Sequence, residues 1–205
     1  MSRLRVAPIV EGHGEYASIR ILLDRIWCEH FNGDYIEVLK PTRQPKGRLK
    51  KEDGLANAIR FAREKLTNPP ASSESDPALI LILIDADNDC PGEWGPRLLE
   101  WGKKSASDLD IACVLAVIDY ETWFAATAES LKSYLDLPSS FVASVDAEKS
   151  RHGKRWVEGL FRGTKYSPTT DQPRMTSAMD LAICREHSPS FNKLCCEFEQ
   201  RLQKN

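Results

Sequence analysis

The sequence predicts an α/β fold in which a parallel sheet is flanked by helices and followed by further helices at the C-terminal end. Two apolar runs, 79–84 and 111–118, are short, unbroken and bounded by polar turns, which is typical of strands buried on both faces of a parallel sheet. Segments with helical spacing of apolar residues alternate with the strands, as in βαβ units. We therefore expect an α/β core over 1–137 and a helical extension over 138–205 that packs on it.

The remaining elements follow from the same patterns. Residues 5–10 predict a first strand, in which Pro8 would be tolerated at a sheet edge or a bulge. A turn with Gly12 and Gly14 and then a helix come next; its glycines fit neither the dinucleotide-binding nor the P-loop pattern, which excludes those sites here. A second strand is expected at 35–39. Further helices are expected at 97–107, 146–161, 175–187 and 190–203, and 67–77 is a Pro- and Ser-rich connector.

The amino-acid composition excludes few classes of function. The chain has 205 residues, with 28 Lys and Arg against 30 Asp and Glu, so net charge gives no argument for a polyanionic partner. No signal peptide or membrane span is predicted. The six cysteines form no Cys-x-x-Cys pair and have no zinc-ligand spacing with the four histidines. We expect a cytoplasmic protein with reduced cysteines.

Three carboxylates follow the first long apolar run. Asp85 and Asp87 are two residues apart and point the same way in an extended chain, and Asp89 lies further along the turn. Clustered like charges repel each other, and a hard divalent cation with oxygen ligands, Mg²⁺ (or Mn²⁺), relieves that repulsion. The alternative is an ordinary polar turn, since Asp, Asn, Pro and Gly dominate turns.

Two other strands also end in acids. Glu11 follows the first strand, and Asp119 and Glu121 follow the run at 111–118. Because the carboxyl ends of parallel strands lie at one edge of the sheet, where ligands of open α/β sheets bind, these residues should converge with Asp85 and Asp87.

A basic segment follows the second strand. It predicts a surface that binds the phosphates of a nucleic acid, although a solvated loop would explain such a cluster of positive charges equally well. Its cationic residues are Arg43, Lys46, Arg48, Lys50 and Lys51.

The order of these motifs resembles that of Toprim domains, which occur in topoisomerases, bacterial primases and the overcoming-lysogenisation-defect nucleases. Val10-Glu11-Gly12 and Asp85-Ala86-Asp87 stand where that family has a Glu in the first turn and an Asp-x-Asp after a later strand. The chain also resembles a group of Toprim-like bacterial proteins of similar length through Glu121-Thr122-Trp123, Lys165-Tyr166 and 188–191. Asn88-Asp89 departs from the further acids that many Toprim domains carry.

The resemblance implies roles for individual residues. Asp85 and Asp87 would hold Mg²⁺, Glu11 would be a ligand or a general acid or base, and Glu121 and Asp89 would complete the acidic cluster. The catalytic set is then Glu11, Asp85 and Asp87, and Lys165 would face a substrate phosphate unless it is an idle surface lysine. Glu15 is expected only to favour the start of its helix through the dipole.

The expected function is a Mg²⁺-dependent nuclease or related phosphodiester enzyme acting on DNA or RNA. Toprim nucleases often work beside an ATPase in defence against phage, so the resemblance implies a partner ATPase. One alternative is a non-catalytic nucleic-acid-binding or regulatory subunit with a structural metal ion. A receiver-like phosphoacceptor domain is disfavoured because no Lys follows Val117-Ile118.

Overall fold

A computed structural model describes residues 4–67, 77–142, 145–150, 153–163 and 165–203. The predicted connector at 67–77 falls almost wholly outside these ranges. No helix in them is long and apolar enough to cross a membrane.

The centre of the molecule is a parallel sheet of five strands flanked by helices, which confirms the predicted α/β fold. Its strands are β1 (Leu4–Val10), β2 (Ile36–Val38), β3 (Thr42–Arg43), β4 (Ala78–Asp85) and β5 (Asp110–Ala116). The order across the sheet is β2-β1-β4-β5, and β3 pairs with β1 beyond the end of β2.

Pro8 lies inside the sheet, so the expectation of an edge position or a bulge was wrong. The carbonyls of Val6 and Val10 accept hydrogen bonds from Leu39 and Gln44, on the side of β1 that faces β2 and β3. Pro8 alternates with these residues and faces the same side, where β2 has ended and β3 has not begun. The missing N–H therefore falls at the gap between two short strands and costs no ladder hydrogen bond.

The helices occupy both faces of the sheet and the C-terminal third of the chain. They are α1 (His13–Asp24), continued by a π-helical segment (Arg25–His30), α2 (Lys46–Leu49), α3 (Glu52–Thr67), α4 (Pro91–Ser105), α5 (Glu121–Ala126), a 3₁₀ turn (Ala128–Leu131), α6 (Ala147–Ser150), α7 (Lys154–Leu160), α8 (Asp171–Ala178), α9 (Leu181–His187) and α10 (Pro189–Leu202).

The central strand β4 shows how the sequence assigns the two faces. Its leucines at 79, 81 and 83 pack with α1, α5 and the C-terminal helices, whereas its isoleucines at 80, 82 and 84 pack with α3 and α4. This alternation follows from the two-residue period of a strand. Phe191, Leu194 and Phe198 of α10 belong to the same core cluster as the leucines, so the C-terminal helices share the core of the sheet.

Several predicted element boundaries were wrong. Helix α4 begins at Pro91, where a proline costs no helical hydrogen bond, and continues through Pro96, which lies past the first turn and cannot donate to the Gly92 carbonyl. The single helices expected at 146–161 and 175–187 are each two helices: α6 and α7, then α8 and α9. The basic segment is no loop, since it contains β3 and α2.

Candidate active site

Six carboxylates line one pocket of about 450 Å³ at the carboxyl edge of the sheet. The structure thus brings together the five acids that the sequence placed at the ends of three strands, and it adds Glu15 to them. The six are Glu11, Glu15, Asp85, Asp87, Asp119 and Glu121; His13, Lys154 and Gln172 are among the other lining residues.

Tight backbone turns hold the acids that follow β4 and β5. The amide of Asp87 donates to the carbonyl of Ile118 at 2.7 Å, and both residues are left-handed, with φ of 52° and 65°. This conformation is strained for a β-branched residue such as Ile118, at a cost of roughly 1–3 kcal/mol. Such strain is typical of functional sites, and here it fixes the residue directly before Asp119.

Glu15 reaches the pocket because Gly12 has no side chain. A Cβ at Gly12 would lie 2.0 Å from a carboxylate oxygen of Glu15. The Glu15 side chain is buried, and its Oε2 has no hydrogen-bond partner among the described residues. Its place in the first turn of α1 agrees with the expectation from the helix dipole, but the side chain belongs to the acidic site.

Backbone donors orient two of the aspartates. The amide of Tyr120 donates to Asp85 Oδ1 at 2.9 Å. The amides of Thr122 and Lys154 donate to Asp119 at 3.1 and 2.9 Å. A Cβ at residue 153 would lie 2.5 Å from Asp119, so a glycine there lets the start of α7 approach the pocket.

Glu121 is buried at the start of α5 and is held by a tyrosine from the C-terminal part of the chain. The Tyr166 hydroxyl donates to Glu121 Oε1 at 3.1 Å, and both residues are 3 % exposed. Tyr166 belongs to the Lys-Tyr pair that the sequence resemblance singled out.

The crowding of acids favours their neutral forms. Burial, together with neighbouring carboxylates, raises the pKa of Glu11 to about 7 and that of Glu121 to about 7. Burial and the charges of Glu15 and Glu11 raise the pKa of Asp85 well above its ordinary value. Burial also raises the pKa values of Glu15 and Asp119. The ionised carboxylates of the pocket therefore repel one another, and protons or a bound cation would reduce this repulsion.

Asp89 does not line the pocket. Its carboxylate pairs with Lys50 at 2.7 Å and Lys46 at 3.1 Å. Lys46 also binds Asp87, at 2.6 Å. Lys46 and Lys50, which were predicted to bind nucleic acid, thus form ion pairs with the acids that follow β4. The hydrogen bond from Lys50 is the main cause of the lowered pKa of Asp89.

The other predicted nucleic-acid-binding residues are exposed. Arg43, Arg48 and Lys51 lie on the segment from β3 to the start of α3, and Arg43 donates weakly to the Glu11 carbonyl at 3.4 Å. Lys165 is exposed and is not among the lining residues of the pocket. Lys154 lines it instead, a residue that the sequence reasoning placed inside a predicted helix.

The oxygen donors suit Mg²⁺ or Mn²⁺ chemically, because hard divalent ions prefer carboxylates. Two buried carboxylate oxygens, Glu11 Oε2 and Glu15 Oε2, lack hydrogen-bond partners within the described ranges, as expected of atoms that face a ligand. Among those residues, however, no group of three or more His, Cys, Asp or Glu side chains is arranged to hold an ion as it stands. Binding would require carboxylate side chains to rotate.

Comparison with known proteins places the chain in a family. The model of the family described as "Domain of unknown function (DUF4276)" matches residues 10–199. No curated protein and no solved structure matches the chain. The relationship to Toprim domains stays a prediction. The match extends from the end of β1 into α10 and covers all six acids of the pocket, and on this evidence the chain belongs to the DUF4276 family.

Proposed function

We propose that the protein is a Mg²⁺- or Mn²⁺-dependent enzyme that hydrolyses phosphodiester bonds in nucleic acid. The observation that carries the proposal is the convergence of six carboxylates on one pocket at the carboxyl edge of a parallel sheet, where open α/β proteins bind their ligands. A purely structural cluster of this kind would be costly, since most of its members have raised pKa values and few have cationic partners.

The side chains of the pocket would have two roles, which are to hold the metal ion and to transfer a proton. Asp85, Asp119, Glu121 and their neighbours would hold the ion, which when bound would lower the pKa of water and offset negative charge on the phosphodiester. Glu11 has a pKa of about 7, so it can accept or release a proton near neutral pH, as general acid–base catalysis requires. Tyr166 keeps Glu121 in place.

A non-catalytic nucleic-acid-binding or regulatory subunit is the second candidate. The observation that favours it is that, within the described ranges, no three ligand side chains are arranged for a metal ion, while lysines hold Asp87 and Asp89. The partner ATPase and the role in defence against phage belong to the proposal only through the sequence resemblance to Toprim nucleases.

Cleavage assays distinguish the two candidates. Labelled single- and double-stranded DNA and RNA would be incubated with the protein and Mg²⁺ or Mn²⁺, with EDTA and the variant Glu121→Gln as controls. We expect cleavage that needs the ion and is lost in Glu121→Gln. Binding of nucleic acid without cleavage under any of these conditions would favour the non-catalytic candidate.

The exposed cations beside the pocket give a separate prediction about binding. Replacing Arg48 and Lys51 with Ala should weaken nucleic-acid binding across sequences and flatten the slope of log affinity against log salt by about 1.4 to 1.8, because each lost phosphate contact contributes about 0.7 to 0.9. Fluorescence anisotropy at several salt concentrations measures both effects.

The matched control removes two exposed lysines elsewhere, Lys103 and Lys132. It changes the net charge equally and should leave the slope unchanged. If the two double variants show equal slopes of log affinity against log salt, Arg48 and Lys51 do not contact nucleic-acid phosphates and are ordinary solvated surface residues.

A further inference from the structure

Lys46 is surrounded by oxygen atoms at the rim of the acidic pocket. Its ammonium lies 2.6 Å from Asp87 Oδ2, 3.1 Å from Asp89 Oδ2 and 2.9 Å from the carbonyl oxygen of Ala86. An ammonium has three N–H donors, so these three oxygens satisfy it completely. Lys46 is therefore placed to neutralise acids and has no donor left for a substrate phosphate.

The backbone fixes both sides of this contact. Helix α2 starts at Lys46 directly after Pro45, and the amide of Lys50 bonds back to the Lys46 carbonyl. On the other side, the amide of Asp89 donates to the Ala86 carbonyl at 2.8 Å and that of Asp87 to Ile118. The lysine thus meets a prearranged set of oxygens, and its side chain is only 16 % exposed.

The acids of the pocket divide into two groups by their cationic partners. Asp87 is paired with Lys46, and the charge of Lys46 also acts on Glu11, where it opposes the effect of burial on the pKa. We call Glu11 and Asp87 the lysine half. The open half is Glu15, Asp85, Asp119 and Glu121; within the described part of the chain, none of these four forms an ion pair with Lys or Arg. The charge of Lys154 acts on Glu15, but it affects the pKa of Glu15 less than burial and hydrogen bonds do.

A second observation indicates that the acids of the pocket face a ligand. The Glu15 side chain is only 6 % exposed and lines the pocket, and its Oε2 has no hydrogen-bond partner among the described residues. Glu11 Oε2 in the lysine half also lacks a partner there, but the charge of Lys46 acts on Glu11. A buried acceptor without a partner costs free energy, which a bound cation would recover.

We propose that Lys46 is the built-in cation of the lysine half, so that the pocket binds one divalent ion, in the open half, instead of two. The proposal rests on the proposed function, since it specifies how many ions that site takes and where. It also assigns Lys46 a positioning role toward Asp87 in place of the nucleic-acid contact predicted from the sequence.

Counting bound ions tests the proposal. Mn²⁺ would be titrated into the protein at about pH 8 while the electron paramagnetic resonance signal of the free ion is recorded. We expect one ion per chain in the wild type and in Lys46→Arg, which keeps the charge. In Lys46→Met the oxygens of the lysine half lose their cation, and the number of bound ions should rise to two.

Lys50→Met is the matched control, because Lys50 pairs with Asp89 but not with Asp87; it should bind one ion. Two ions in the wild type, or one or none in a folded Lys46→Met variant, would overturn the role of Lys46 and leave the proposed function standing. No ion in the wild type would overturn the proposed function as well. If circular dichroism shows that Lys46→Met does not fold, the number of Mn²⁺ ions bound by the wild type and by Lys46→Arg still tests the proposal, because two ions in either protein would contradict it.

Discussion

Raising the pH from about 5 to about 8 without divalent ions is expected to destabilise the protein, and Mg²⁺ is expected to restore the lost stability. Burial and the neighbouring charge of Asp119 raise the pKa of Glu121 from 4.5 to about 7. A carboxyl with a raised pKa binds its proton more tightly in the folded state. Its stabilising contribution is therefore complete below about 4.5 and is lost as the pH rises through about 7. For Glu121 alone this loss is worth roughly 3 kcal/mol.

Urea unfolding of the wild type and Glu121→Gln across this pH range isolates the effect. The glutamine can still accept the hydrogen bond from Tyr166, so the two proteins should be about equally stable near pH 5, and Glu121→Gln should be the more stable one near pH 8. Glu158→Gln, which changes an exposed acid of α7, should show no such crossing. A stability difference that does not vary with pH would contradict the electrostatic account of the pocket.

Asp85→Asn should abolish most divalent-ion binding while making the ion-free protein more stable. Asp85 is the last residue of β4, and burial together with the charges of the neighbouring pocket acids raises its pKa. The substitution removes one like charge from this group, and the asparagine oxygen can still accept the hydrogen bond from Tyr120. We expect the affinity for Mn²⁺ to fall by about tenfold to a hundredfold.

Calorimetric titration with Mn²⁺ and urea unfolding near pH 8 measure the two effects. Asp89→Asn is the informative comparison, because Asp89 was predicted as a ligand but is paired with lysines outside the pocket. It should keep its affinity for the ion and gain no stability. The reverse pattern, with binding lost in Asp89→Asn and kept in Asp85→Asn, would show that the ion binds at the turn and not in the pocket.

The sequence predicted the sheet well because its strands carry the strongest local signal. The run at 79–84 is apolar on both faces, and its short length and β-branched residues favour a strand covered on both sides over a buried helix. Parallel pairing then brings Glu11, Asp85, Asp87 and Glu121 to one edge, and no side-chain detail is needed to expect their meeting. The C-terminal helices were predicted less well, because only three residues separate α6 from α7 and only two separate α8 from α9. Gaps this short leave little trace in the spacing of apolar residues.

The missing members of the site depend on contacts that local patterns do not encode. Glu15 enters the pocket because Gly12 leaves space for it, and Glu at the start of a helix is common for unrelated reasons. Lys154 depends on the break at Gly153 and the approach of α7 to Asp119. Asp119, by contrast, was expected at this edge from the sequence, since it follows β5 as Asp85 ends β4. The pairing of Lys46 with Asp87 depends on α2, whose four residues are too few for a periodic pattern.

The central claim is that the acidic pocket is a divalent-cation site, and anomalous diffraction from a crystal soaked in Mn²⁺ tests it most directly. The account predicts one anomalous peak per chain in the pocket, about 2.0 to 2.2 Å from carboxylate oxygens that include Asp85 and Glu121. It also predicts that Lys46 still contacts Asp87. A pocket without a peak at saturating Mn²⁺, with the six carboxylates unchanged in position, would contradict it.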